Sequence, residues 1–575
     1  MPCWPVCRVS CAMPGGVFNV SDMAPVELHP LYYLHNFEVL CDTVEAQYGD
    51  LLTAQELQFL QDFRACEDAA RGLFVRLTSR RGTWFRPEKL NYPELTENLT
   101  VPLEQLASRG LVSFTADPGL ELLLELCLKG ELLQLFADIL APDARKLRKP
   151  ELAEQLLQLA LDSEEVNRRW QDWYTHSVIE VHGPAVVEVL QLLFFGNRRQ
   201  SLTDFVLSDL GVASYESYAL DRRYRLFASR AQVDEYLQAA VLREQFYNLL
   251  EQDDVEAMVA LVALLPVTRS SHTPQQQRWD KLRNRLGRQL ERYQQPAAAL
   301  RAYAGSHMHP ARERSVRLLE SQGELEQALE LCDSMAMDPW CEAEMDFQRR
   351  KSVQLARKNG AAVTLLKPPV PISERLVLAP TERRVEEAAA AHYRQHWQWV
   401  GHVENSMVNA LFGLALWEQI FAEVAGAFVN PFQSAPLDMY SGTFYRTRRS
   451  AIDARLDELA QADLAAVLLA SYDAHFGISN RWVSWRGIER EMIATAAQII
   501  PVTHLIAMWR RILFDPQANR SGLPDLLALD PEHGYCMIEV KGPGDQLQLN
   551  QKRWLRYFSE QDIPVKVAWV SWHDA

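Results

Sequence analysis

Two short apolar runs near the C-terminal end constrain this chain more than anything else in it. Leu526-Leu527-Ala528-Leu529 is followed by Asp530-Pro531-Glu532-His533-Gly534, a turn by composition. Tyr535-Cys536-Met537-Ile538-Glu539-Val540-Lys541 then reads as a second strand, stopped by Gly542-Pro543-Gly544. The two runs predict a hairpin. Side chains alternate faces along a strand, so Glu539 and Lys541 share one face while Val540 takes the other. Gly522-Leu523-Pro524-Asp525 opens the first run, so the hairpin brings Asp525 near Glu539. A helix over 545–561, spaced by Leu547, Trp554 and Phe558, and a strand over 565–572 complete a small α/β unit.

Two acids and a lysine at one sheet end suit phosphodiester cleavage. That reaction adds negative charge to phosphate oxygens already negative. A divalent ion held by Asp525 and Glu539 neutralises that charge and acidifies water. Lys541 would orient the water or a non-bridging oxygen, and the Val540 carbonyl could reach the ion. The pattern alone is also compatible with a solvated turn end.

With 575 residues, the chain is long enough for several domains. Its net charge of −16 argues against general polyanion binding, which draws its affinity from phosphate neutralisation. A DNA enzyme of this charge needs its basic residues gathered into a local stripe. Nine scattered cysteines form no CxxC pair and suggest no disulfide framework, which favours a reducing cytoplasm. No run of about eighteen apolar residues occurs, so no membrane span is expected.

Organisation follows from composition. Residues 1–24 read as a flexible leader holding Cys3, Cys7 and Cys11, without a signal-peptide core. Residues 29–61 read as mostly helix, and 74–77 as a short extended or helical segment. Arg76, Arg80, Arg81, Arg86 and Lys89 surround Trp84, an arrangement that grips a nucleic-acid backbone or forms a solvated basic face. Two helices are expected over 119–161, the first over 120–139. The basic link between them holds Lys146, Arg148 and Lys149, and Pro150 enters the first turn of the next helix. This resembles a SAP module. Residues 165–370 read as almost entirely helical. Leu290, Ala299, Leu300 and Tyr303 recur as Leu319, Ala328, Leu329 and Cys332, a repeat similar to tetratricopeptide arrays that brace domains or bind protein partners. The proline run at 367–371 marks a boundary. Helix is then expected over 383–421, an aromatic loop over 430–449, and helices over 451–470 and 488–512.

Gly-Leu-Pro-Asp, Glu-Val-Lys-Gly-Pro and the trailing Asp545, Gln551 and Trp554-Leu555 resemble the VRR-NUC domain, a branch of the PD-(D/E)XK nucleases. Phe432-Gln433-Ser434, Pro436-Leu437-Asp438, Phe444-Tyr445, Arg448-Arg449, Val483-Ser484-Trp485 and Gly413-Leu414-Ala415-Leu416-Trp417 extend the likeness. So do Phe74-Val75-Arg76-Leu77, Trp84 and Lys89-Leu90-Asn91-Tyr92 in the N-terminal half. Together these are similar to a bacterial member of the Fanconi-associated nucleases. The resemblance implies a mostly helical N-terminal part followed by an α/β nuclease domain. Its divisions are a DNA-binding domain at 25–117, a SAP-like module at 118–165, repeats at 166–370 and a nuclease domain at 371–575 with its core from about 455.

It further implies a Mg²⁺- or Mn²⁺-dependent 5′-flap endonuclease and 5′-to-3′ exonuclease acting on branched DNA in interstrand-crosslink repair. Glu404 joins Asp525 and Glu539 as a metal ligand borne on an upstream helix. Arg448, Arg520 and Lys552 join Arg76, Arg80, Arg81, Trp84, Lys146, Arg148 and Lys149 as expected DNA contacts. Basic residues that hold a 5′ phosphate in vertebrate members fall at Gln517, Gln546 and Asn550 here, leaving Arg520 and Lys552 as the nearby cations. Two rivals stand beside this reading: a Holliday-junction or restriction-type nuclease, and a non-catalytic DNA-binding scaffold.

Overall fold

The computed structural model describes residues 29–197, 214–362 and 371–573; the leader and most of the proline boundary fall outside them. The chain divides into two compact units. Among the described residues, one holds 29–43 and Ala54–Leu190, and the other holds Val44–Thr53, 191–197, 214–362 and 371–573.

The first unit is helical with a small sheet that the apolar pattern did not announce. Strands β1 (Trp84–Phe85), β2 (Val112–Thr115) and β3 (Val178–Val181) pair antiparallel in the order β1-β3-β2. The stretch after 165, expected to be helical, therefore contributes a strand. The segment 74–77 is the buried face of a helix, Asp68–Thr78. The expected helix over 120–139 is two, Gly119–Leu126 and Lys129–Leu135. Cys127 is extended between them, and the Leu128 N–H donates to Glu131 Oε2 at 2.7 Å, starting the second helix afresh.

In the second unit, the repeat positions build successive helix pairs. Thr273–Arg292 packs on Pro296–Ala304, and Ala311–Gln322 on Leu325–Met337. Ala299 and Ala328 are buried at equivalent crossings, where a small side chain lets helices approach.

The nuclease-type sheet has five strands, two more than the sequence suggested. Strands β4 (Ile372–Leu378), β5 (Trp399–His402), β6 (Leu526–Asp530), β7 (Gly534–Lys541) and β8 (Val565–Trp572) lie in the order β4-β8-β7-β6-β5. The region 383–421 is therefore not continuous helix. It runs helix Val385–Tyr393, strand β5, then helix Met407–Ala415. Likewise the aromatic loop ends earlier than expected, with a helix at Thr443–Leu459.

The hairpin forms as its residues dictate. Asp530 Oδ1 accepts the N–H groups of Glu532 and His533 at 2.9 and 3.1 Å, and Gly534 takes φ +80. Those N–H groups hold the Asp530 carboxyl down at about 2. Leu527, Leu529, Tyr535 and Met537 face one core; Leu526, Ala528, Ile538 and Val540 face another. Both sheet faces are thus covered. Among the described residues no single helix is long and apolar enough to cross a membrane.

Candidate active site

The antiparallel register pairs Leu526 with Ile538, and one step further sets Asp525 opposite Glu539. Alternation puts Asp525, Glu539 and Lys541 on the same face, at the end of the Leu527–Met537 core. All three are buried: Asp525 is 7% exposed, Lys541 8% and Glu539 0%. The Val540 N–H donates to Asp525 Oδ2 at 2.8 Å. Lys541 Nζ lies 2.8 Å from Glu539 Oε1 but out of hydrogen-bond alignment, and neither Glu539 oxygen has a hydrogen-bond partner among the described residues.

A buried carboxylate left this way is costly unless a cation or a proton compensates it. Burial pushes the Glu539 carboxyl up to about 7. The Asp525 charge adds to the rise, Lys541 opposes it, and Glu404 adds a smaller push. Burial likewise raises Asp525, against the pull of the Val540 N–H and Lys541. Glu404 and Glu386 repel its charge as well. Lys541 offsets part of this crowding of negative charge, and a divalent cation beside Asp525 would relieve the rest.

Glu404 sits in the turn between β5 and the helix Met407–Ala415, not on that helix. The turn is fastened to the Asp525 loop. The Val403 N–H donates to the Asp525 carbonyl at 2.8 Å. Asn405, at φ 52, donates to Glu404 Oε1 at 3.0 Å and accepts the Leu523 N–H at 3.1 Å. Asn409 donates to the carbonyls of Asn405 and Arg520 at 2.7 and 2.9 Å. Gly522 has φ +86, and a Cβ there would meet the Asn550 backbone at 2.8 Å, so only glycine fits. His402, Glu404 and Asp525 bring ligand atoms within 4.8 Å of one another.

Sequence reasoning missed His402, Glu386, Asn405 and Asn409. The first two lie on elements whose nearness to Asp525 is purely tertiary. The asparagines show only that such side chains suit turns and helix starts. The Val540 N–H is engaged by Asp525 Oδ2.

The loop before Asp525 has a second support. Asn519 Nδ2 donates to Glu342 Oε1 at 3.1 Å and to the Arg511 carbonyl at 2.8 Å. Arg511 Nη2 lies 3.0 Å from Glu342 Oε2, its guanidinium stacked near the Trp554 and Tyr557 rings. Glu342 starts the helix Glu342–Lys358, where Asp346 receives Arg553 and Arg556 at 2.6 and 3.2 Å.

The expected DNA contacts divide. Arg81, Lys146 and Arg148 are exposed. Arg80 is exposed and donates to the Tyr92 hydroxyl at 3.0 Å. Lys149 is half-buried and donates to the Glu125 carbonyl at 3.2 Å. Arg76 is committed to Glu94 at 2.7 Å and to the Tyr33 ring at 3.8 Å. Trp84 packs half-buried against an apolar cluster. Arg520 is exposed over the Tyr440 ring, and Lys552 is exposed. Arg448 is a correction: it is 3% exposed, pairs with Asp438 at 2.8 Å and lies against the Phe444 ring, so its charge serves the interior.

The family model "FAN1, HTH domain" matches residues 31–113, and the VRR-NUC domain matches 459–572. A Fanconi-associated nuclease 1 homolog of Pseudomonas aeruginosa is 35% identical over 96% of this chain and 97% of its own length. The chain belongs to the Fanconi-associated nuclease family. The Arabidopsis thaliana homolog is 27% identical over 94% of this chain and 67% of its own length. A crystal structure of paFAN1 bound to 2nt 5′flap DNA with gap superposes with TM-score 0.78 and 34% identity, covering 96% of this chain and all of that one. As a Fanconi-associated nuclease the chain is a DNA nuclease dependent on divalent metal. The VRR-NUC match begins after β4 and β5, so two strands and Glu404 come from outside it.

A pH dependence follows from Glu539. Its ordinary value is 4.5 and the metal-free fold holds it at about 7. Between those values the folded state keeps a proton that the unfolded chain releases, so stability falls as pH rises through the window. In chelator, the melting temperature is expected to drop from pH 5 to pH 8, by less in Glu539→Gln, and Mn²⁺ at pH 8 is expected to restore it. Calorimetry with and without Mn²⁺ measures this. A drop of equal size in Glu539→Gln would assign it to other groups.

Proposed function

We propose that this nuclease cuts branched DNA as a Mg²⁺- or Mn²⁺-dependent 5′-flap endonuclease and 5′-to-3′ exonuclease. We place its work in the cytoplasm, at the nucleoid, in repair of interstrand crosslinks. The observation that carries the reading is the meeting of Asp525, Glu539 and Lys541 at one sheet end, in a chain whose relative was solved on a 5′ flap.

Asp525, Glu539 and Glu404 would hold the cation. When bound, it offsets charge on the scissile phosphate and makes water more acidic. Asp525 is oriented for this by the Val540 N–H, and Glu404 by Asn405. Lys541, held beside Glu539, donates a hydrogen bond to the attacking water or to a non-bridging oxygen. Burial of Asp525, Glu539 and Lys541 strengthens the interactions these three make, while Glu404 approaches from the exposed side. Arg80, Arg81, Lys146, Arg148, Arg520 and Lys552 supply exposed charge for phosphates. The divisions 25–117, 118–165, 166–370 and 371–575 are the parts we assign to DNA grip, SAP-like grip, bracing and chemistry.

The test is a labelled 5′-flap substrate beside a four-way junction, with Mn²⁺ and purified protein. Flap cleavage at least ~10-fold faster than junction cleavage is expected, a difference of about 1.4 kcal/mol in activation free energy. Faster cutting of the junction would favour a resolvase, and no cutting of either would favour a scaffold.

A further inference from the structure

We propose that His402 is a nitrogen ligand of the catalytic cation, making this centre prefer Mn²⁺ over Mg²⁺. The inference rests on the metal-dependent nuclease reading and adds to it a ligand and a metal preference.

His402 ends β5, the edge strand, paired with Leu526. Asp525 precedes Leu526, and the Val403 N–H to Asp525 carbonyl bond extends the pairing past His402. This holds the imidazole at the sheet end, where its ligand nitrogen lies within 4.8 Å of both a Glu404 and an Asp525 oxygen. Ligand atoms around one first-row cation at bond lengths near 2 Å lie ~3–4 Å apart, so small side-chain adjustments suffice. The His402 ring has no hydrogen-bond partner among the described residues, so no bond must break for it to turn inward.

A second observation points to a cation at the same place. Glu539 is fully buried, and its oxygens meet no group among the described residues beyond Lys541 Nζ, 2.8 Å from Oε1. It shares its electrostatic surroundings with Asp525 and Glu404. His402, Glu404 and Asp525 together offer a mixed nitrogen and oxygen donor set. Mg²⁺ is hard, takes oxygen donors and keeps its waters; Mn²⁺ also takes oxygen donors but accepts imidazole more readily. An oxygen-only set of Asp525, Glu539 and Glu404 discriminates weakly between them. Adding His402 shifts the balance to Mn²⁺.

Pulsed electron paramagnetic resonance of the full chain loaded with one equivalent of Mn²⁺ tests this. The unaltered protein is expected to show ¹⁴N coupling to the bound ion. His402→Ala is expected to lose that coupling and bind Mn²⁺ about tenfold more weakly, with Mg²⁺ affinity changed less than about twofold. His402→Gln, which offers an oxygen, is expected to lose the coupling and recover part of the Mn²⁺ affinity. Mn²⁺ bound through Asp525 with no ¹⁴N coupling, or coupling that persists in His402→Ala, would overturn the proposal and leave the metal centre standing. Absence of Mn²⁺ binding by the unaltered protein would overturn both.

Discussion

An Asp525→Asn protein is expected to cleave flap DNA at least ~10³-fold more slowly than the unaltered chain, while keeping its fold. The asparagine oxygen can still accept the Val540 N–H that Asp525 Oδ2 accepts at 2.8 Å. What disappears is one negative charge whose ligand atom lies within 4.8 Å of those of His402 and Glu404. The substitution therefore separates electrostatics from architecture. Its loss should be in the single-turnover rate and in Mn²⁺ affinity together, with an unchanged circular dichroism spectrum. A rate within ~10-fold of the unaltered protein would remove Asp525 from the chemistry.

Lys541→Met should behave differently. Methionine fills most of the lysine volume, so packing at this 8%-exposed position survives. The ammonium beside Glu539 is lost, and with it the donor available to the water or the phosphate oxygen. The cleavage rate is expected to fall by ~10²–10³-fold, within the range for removing a positioned proton-handling group. Mn²⁺ should bind at least as tightly as before, because a neighbouring positive charge has gone. Isothermal calorimetry beside single-turnover cleavage reads both. A Lys541→Met protein that no longer binds Mn²⁺ would make the lysine a structural counter-ion instead.

The hairpin was legible because every level of its sequence agrees. Asp530 to Gly534 can only turn, and the runs on either side alternate so that one register buries both faces. That register alone places Asp525 opposite Glu539. Strands β4 and β5 were not legible, for a physical reason. Ile372–Leu378 pairs with Val565–Trp572, far along the chain, and no local turn announces the pairing. Trp399–His402 has only four residues, between helical segments whose composition swamps it. Glu404 came from likeness to a family, since an acid ahead of an apolar helix has a sufficient local reason to be there. His402 reads as a surface histidine until β5 is known to lie beside Asp525. Arg448 misled in the opposite direction: a basic residue among aromatics resembles a DNA contact, and only the fold reveals Asp438 waiting for it.

The join between Glu342 and Arg511 sets a limit on dissection. A fragment cut at 371 would keep the whole five-stranded sheet yet strand the Arg511 guanidinium, and take from Asn519, just ahead of the Gly522 loop, one of its two acceptors. Such a fragment would inherit every reacting group and lose the tether that aligns them. Cutting activity and the upstream array are in this sense one hereditary package, so the scissile machinery cannot be transplanted without its helical neighbour.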